Sequence, residues 1–71
     1  MNNTIREDIG LMLSRLFGYG EIDENEAFDT AFEKAVDAIA IDTDLFTDKY
    51  FEIEDEIRLE IGVQIREWLN G

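Results

Sequence analysis

Apolar residues near the start of the chain recur with the period of an α-helix. They are spaced at i, i+4, i+7, i+8 and i+11, as Ile5, Ile9, Met12, Leu13 and Leu16. This spacing places them on one helical face and predicts a helix over residues 5–17. Thr4, with Glu7 three residues later, is typical of a capping box at the start of a helix. Gly18 and Gly20 predict its end, because glycine adopts the left-handed conformation at low cost.

A second helical pattern begins at Asp23, which we predict to be an N-cap, with Glu26 completing a capping box. Ile22 and Ala27 are spaced as a hydrophobic staple across this start. The apolar residues of the pattern occupy one broad helical arc, and they are Ala27, Phe28, Ala31, Phe32, Ala35, Val36, Ala38 and Ile39. We expect this helix to end near residues 40–41.

The segment over residues 42–51 predicts a short helix or a turn. The polar residues suited to cap it are Asp42, Thr43 and Asp44. Its apolar anchors are Leu45, Phe46, Tyr50 and Phe51.

The last segment fits two periods. Its helical stripe consists of Ile53, Ile57, Ile61, Ile65 and Trp68. Asn70 and Gly71 then form a natural stop. With a period of two, apolar residues at alternate positions over residues 57–65 are typical of a strand. We favour the helix, because no Gly, Asn-Gly or Pro marks a hairpin turn nearby and the only available strand partner is residues 50–53.

These elements predict one all-α domain over residues 1–71, a three-helix bundle with a short fourth helix. The alternative is an α+β fold with residues 57–65 as a strand. In the all-α case, Leu59 and Val63 lie away from the main stripe of the last helix. They then need a second contact, which is either another helix or a second copy of the chain.

The composition limits the catalytic and metal-binding groups that the chain can offer. The chain contains no histidine, cysteine or proline, which leaves no imidazole base, no thiolate nucleophile, and no thiolate or imidazole zinc site. Acid–base catalysis by carboxylates needs a cleft and a perturbed pKa, and so short a chain has little volume for either. We therefore expect no enzyme activity, no catalytic residue and no cofactor.

A calcium-binding loop is a further possibility to test, because three loop acids lie close together in the sequence, namely Asp42, Asp44 and Asp48. On an EF-hand register that starts at Asp42, Thr47 takes the place of the required glycine and Ile53 that of the final glutamate. We therefore expect no dedicated metal site.

The charge is concentrated in the middle of the chain. Eighteen acids against six basic residues give a formal net charge of −12. Residues 21–56 hold 14 of the acids and only Lys34 and Lys49, whereas residues 1–20 and 57–71 are balanced. Because phosphates are bound by Lys and Arg, this imbalance argues against nucleic acid as a direct ligand.

Part of this charge follows one side of the second predicted helix. The acidic ridge consists of Glu26, Asp29, Glu33 and Asp37. The loop acids that extend it are Asp42, Asp44 and Asp48. Like charges at this spacing destabilise a helix, and their side chains lie about 5–6 Å apart, similar to backbone phosphates. The ordinary alternative is a solvated helix face that serves solubility only.

In size, acidity and localised charge, the chain resembles the small inhibitors that phages and mobile elements use against host nucleases and CRISPR complexes, many of which imitate DNA. The resemblance implies a non-enzymatic inhibitor whose acidic face occupies a basic nucleic-acid-binding surface of a larger host protein. Tyr19, between two glycines, is a candidate anchor for such a partner. The alternative is a structural or regulatory subunit, paired as a homodimer through Leu59 and Val63.

The sequence also bears on location. The first eight residues contain two acids and no apolar core of a signal peptide. No apolar run approaches the ~18 residues of a membrane span. We therefore expect a cytoplasmic protein with no membrane partner.

Overall fold

Three α-helices account for most of the fold, and the computed structural model describes residues 1–69. The elements are α1 over Asn3–Gly18, α2 over Phe28–Asp42, a short 3₁₀ helix over Asp48–Ile53, and α3 over Glu54–Trp68. The prediction of an all-α three-helix bundle is confirmed. The predicted stop at Asn70 and Gly71 lies outside the described residues.

The alternative of a strand over residues 57–65 is wrong, because this segment lies within α3. Ile57, Ile61 and Ile65 are fully buried at i, i+4 and i+8, so the helical stripe faces the core. Leu59 and Val63, which complete the period-two pattern, are 70% and 48% exposed. The alternation therefore reflects apolar residues on the outer side of a helix.

The core lies between the three helices. The predicted stripe of α1 is entirely buried, together with Phe17. α2 contributes Ala31, Ala35 and Ile39, and its two buried alanines allow it to approach the other helices closely. Two residues from the connecting segments, Ile22 and Leu45, complete the buried set.

α1 begins two residues earlier than predicted, and the predicted cap at Thr4 is wrong. Asn2 is the N-cap, since its side-chain Oδ1 accepts a hydrogen bond from the Ile5 N–H at 3.0 Å. Asparagine is among the best N-cap residues, and this start places Thr4 inside the helix. The buried face is unchanged by the shift.

α2 begins at Phe28, so the predicted start at Asp23 is wrong. One of the two capping-box hydrogen bonds forms, with the Asp23 N–H donating to Glu26 Oε1 at 3.3 Å. Asp23 Oδ1 accepts from the Asn25 N–H at 2.8 Å, whereas the Glu26 N–H donates to the Asp23 carbonyl. They close an isolated turn, after which Ala27 is extended at φ −63° and ψ 144°. Because Ala27 is also exposed, it forms no staple with the buried side chain of Ile22.

The segment predicted as a short helix or turn over residues 42–51 forms turns over residues 43–47, and then the 3₁₀ helix, which is kinked at Tyr50 and leads into α3. Its cap is Thr47, whose side-chain oxygen accepts from the Lys49 N–H at 3.4 Å, rather than a residue of 42–44. Leu45 is buried, but Phe51 is 71% exposed, so its predicted role as an anchor is wrong. Within residues 1–69, no helix combines the length and apolarity that crossing a bilayer requires.

Candidate protein-docking face

α2 and α3 run antiparallel, and three observations define their alignment. The Arg66 guanidinium carbon lies 4.2 Å from the centroid of the Phe28 ring. A Cβ built on Gly62 would lie 3.5 Å from that ring, an ordinary van der Waals distance, so this part of α3 lies against Phe28. Arg58 lies nearer the other end of α2, lining the same depression as Val36 and Asp37.

Three of the predicted ridge residues lie together on the outside of α2. Asp29, Glu33 and Asp37 are exposed, and together they line an open depression with Phe32 and Arg58. Their i, i+4 and i+8 spacing places consecutive carboxylates about 6 Å apart along the helix axis. We call these three residues the carboxylate row.

Glu26 does not belong to this row, because it lies in the turn before α2. Its Oε1 is 2.6 Å from Lys34 Nζ, and its side chain is only 19% exposed. The hydrogen bond from Lys34 lowers the pKa of this carboxyl group. The predicted four-residue ridge is therefore wrong at its first position, since the chain pairs Glu26 internally.

The loop acids do not continue the carboxylate row in a line. Asp42 lies five residues after Asp37, which turns it about 140° around the helix, and it lines a depression with Asp8 and Arg15 of α1. Asp44 is paired with Lys49 at 3.2 Å. Asp48, the first residue of the 3₁₀ helix, is exposed.

Tyr19 protrudes at the C-terminal end of α1 with 80% of its surface exposed. Its backbone N–H donates to the Arg15 carbonyl at 2.9 Å, and Gly20, with φ 81°, supplies the left-handed residue that ends the helix. No described contact brings Tyr19 to the carboxylate row.

The two lysines of residues 21–56, which we call the acidic segment, pair with carboxylates outside the carboxylate row. Within residues 1–69 the ion pairs are Arg6–Glu60, Lys34–Glu26, Lys49–Asp44 and Arg58–Glu54. Lys34 and Lys49 thus pair with Glu26 and Asp44. Among the described residues, no ion pair neutralises a member of the carboxylate row.

An apolar patch lies beside the carboxylate row, on the same side of the molecule. The patch consists of Phe28, Phe32, Leu59 and Val63, and it lines one depression together with Arg58, Gly62 and Arg66. The Phe28 and Phe32 rings stack with their centroids 5.8 Å apart. We call the carboxylate row, the apolar patch and these two arginines the α2–α3 face.

Sequence reasoning identifies Leu59 and Val63 as unpartnered but misses Arg58 and Arg66. A phenylalanine pair at i and i+4 on α2 and a glycine in α3 are local signals of close packing. Their alignment with the arginines depends on how the two helices are brought together. Within residues 1–69, no group of three or more acidic residues is arranged to hold a metal ion.

No family model, curated protein or solved structure matches this chain.

Proposed function

We propose that this chain is a non-enzymatic inhibitor of anti-CRISPR or anti-nuclease type. In this proposal it docks the carboxylate row onto a basic nucleic-acid-binding surface of a larger protein and competes with DNA or RNA. The proposed site of action is the cytoplasm, that of the host for a phage-encoded chain.

The main support for the proposal is that, within residues 1–69, Asp29, Glu33 and Asp37 are exposed and have no lysine paired with them. They are exposed on one side of one helix, whereas Lys34 and Lys49, the lysines of the acidic segment, pair with other carboxylates. Like charges spaced this way destabilise the helix that carries them. A basic partner offsets the repulsion among these carboxylates, and its attraction to them accelerates the encounter of the two proteins.

The spacing of the row supports nucleic-acid mimicry. Single negative charges about 6 Å apart along a rigid helix resemble the charges along one nucleic-acid strand. A groove lined by Lys and Arg attracts either one through the same long-range field. Because the net charge is −12, charges throughout the molecule contribute to the attraction to such a groove. Salt screens this attraction and weakens it.

The test uses two variants with equal charge change. The row variant combines Asp29→Asn, Glu33→Gln and Asp37→Asn, and the control variant combines Glu7→Gln, Asp8→Asn and Glu52→Gln. All six residues are exposed, and the control positions lie outside the α2–α3 face.

Immobilised wild-type chain is exposed to nuclease-treated host lysate and then washed with an excess of duplex DNA. We expect the DNA to release one or a few nucleic-acid-binding proteins, and the control variant to capture the same proteins. The row variant should capture far less of them. Equal capture by the row variant would contradict the proposal.

A second candidate function is that of a structural or regulatory interaction subunit whose acidity serves solubility. The exposed side chains of Leu59 and Val63 favour this candidate. In this case the row variant and the control variant bind the partner equally, and replacement of the apolar patch abolishes binding.

A further inference from the structure

The α2–α3 face carries both signs of charge beside its apolar patch. Its carboxylates belong to α2, whereas Arg58 and Arg66 belong to α3. Arg66 is stacked over Phe28 and takes part in none of the ion pairs within residues 1–69. Its positive charge is thus available to a carboxylate that arrives from outside.

The antiparallel alignment sets which charges share a level along the bundle. Arg66 lies level with Phe28, and therefore with Asp29, the next residue of α2. Arg58 lies eight residues, about 12 Å, before Arg66 on the antiparallel helix, which places it level with Val36 and Asp37, and it lines one depression with the whole carboxylate row. Each acidic end of the row thus has an arginine at the same height on the neighbouring helix.

We infer that the α2–α3 face pairs with a second copy of this chain about a two-fold axis parallel to α2 and α3. Such an axis keeps every residue at its own height and brings α2 of one copy opposite α3 of the other. Asp29 then faces Arg66 of the second copy, and Asp37 faces Arg58 of the second copy. Glu33, one helical turn from each, lies within reach of either arginine.

The charges select this axis over the perpendicular one. A two-fold axis across the helices brings α2 opposite α2, which places the two carboxylate rows against each other. Like charges placed directly across an interface are strongly unfavourable. The parallel axis also brings Leu59 and Val63 against Phe32 of the second copy, so that each copy covers the apolar patch of the other.

The small size of the α2–α3 face limits the affinity of the dimer. The molecule measures 33 × 19 × 19 Å, so a whole side has a cross-section of roughly 600 Å², and the face is smaller than the ~800 Å² per partner of a standard interface. We therefore expect a weak dimer in the micromolar range or above.

Salt strengthens this dimer, in contrast to the proposed target complex. Two chains of charge −12 repel each other over the ~30 Å Debye length of a 10 mM solution. At about 0.5 M salt the Debye length is only a few Å, so the distant repulsion vanishes while the apolar contacts remain. The pairing uses the acids that the proposed function assigns to a basic target, so on that proposal the dimer hides the docking surface.

Sedimentation equilibrium of the purified chain tests the pairing without any target. At roughly millimolar chain concentration, we expect the 8.2 kDa monomer at about 10 mM salt and twice that mass at about 0.5 M salt. A monomer at every salt concentration would overturn the inference. That result leaves the proposed function intact, because target capture is measured separately.

Two sets of variants locate the interface. Leu59→Gln with Val63→Gln should abolish the dimer, whereas Leu11→Gln, at a residue 60% exposed on α1, should not. Circular dichroism verifies that each variant is folded. Dimers that persist in the Leu59/Val63 variant contradict this interface.

Charge reversal tests the axis itself. Arg66→Glu alone and Asp29→Arg alone each place like charges together and should weaken the dimer. An equimolar mixture restores both opposite-charge pairs, so we expect mixed dimers at least about tenfold tighter than either variant forms alone. A mixture no tighter than its components would overturn the proposed axis.

Discussion

The guanidinium group of Arg66 lies over the Phe28 ring, with its central carbon 4.2 Å from the ring centroid. This contact joins the last turn of α3 to the first turn of α2. It also holds a positive charge beside the start of the carboxylate row. One residue pair therefore contributes both to the packing of the bundle and to the charge pattern of the α2–α3 face.

Removal of the Phe28 ring should destabilise the bundle. Phe28→Leu keeps an apolar side chain but loses the stack under Arg66 and the ring contact with Phe32, worth about 1–2 kcal/mol together. Urea denaturation gives the change in the free energy of unfolding. The matched control, Phe51→Leu at a residue 71% exposed, should change it by less than about 0.5 kcal/mol.

Replacement of two glycines by alanine should change the stability of the protein in opposite directions. At Gly62 a Cβ meets the Phe28 ring at 3.5 Å, an ordinary contact, so Gly62→Ala gains helix propensity and should stabilise the protein by about 0.5–1 kcal/mol. At Gly20 the φ of 81° strains any other residue, so Gly20→Ala should destabilise it by about 1 kcal/mol. Thermal unfolding of both variants provides the comparison, and a destabilised Gly62→Ala would show that the helices approach more closely than described.

The Glu26–Lys34 pair predicts a stability difference at acidic pH. The hydrogen bond from Lys34 lowers the folded-state pKa of Glu26, so the pair stabilises the protein fully above the unfolded-state pKa. That contribution is lost as the pH falls through the lowered folded-state pKa. The stability difference between wild type and Glu26→Gln should therefore shrink as the pH falls below 4.5, the ordinary pKa of a glutamate carboxyl group.

NMR titration of the Glu26 carboxyl group provides the direct measurement. Its pKa should lie below the ordinary range in the wild type and rise in Lys34→Met, because partial burial then acts without a cationic partner. A carboxyl pKa unchanged by Lys34→Met would contradict the described pair.

Salt should raise the melting temperature. Residues 1–69 form four ion pairs against a net charge of −12, so repulsion among the remaining carboxylates opposes folding. Between about 10 mM and 0.5 M salt this repulsion is screened, and a gain of ~1 kcal/mol corresponds to about 4–8 °C. The row variant should melt higher than the wild type at low salt and respond less to added salt. Scans at low chain concentration keep self-association out of the measurement.

The helices of the fold follow largely from local periodicity. The stripe from Ile5 to Leu16 identifies the buried face of α1, and the isoleucines of α3 identify its helix despite the competing period of two. The predicted start of α2 is wrong because the side-chain hydrogen bonds of Asp23 and Glu26, which include one of the two of a capping box, close an isolated turn. Sequence spacing shows that these bonds can form but does not show whether a helix follows them.

The candidate site was less predictable than the fold. Asp29, Glu33 and Asp37 share a side of α2 because of their spacing alone, and the sequence therefore identifies them. Glu26 leaves the row because its carboxylate reaches Lys34 eight residues away, a contact set by the turn. The position of Arg66 beside the row depends on the antiparallel packing of α2 and α3, which sequence periodicity does not specify.

The most direct test of nucleic-acid mimicry is a competition titration against a protein captured from lysate. The affinity of the wild-type chain for that protein is measured by calorimetry at increasing concentrations of duplex DNA. We expect an apparent Kd that rises linearly with the DNA concentration, much weaker binding by the row variant, and nearly unchanged binding by the control variant. An apparent Kd that is independent of DNA, with equal affinities for both variants, would contradict nucleic-acid mimicry.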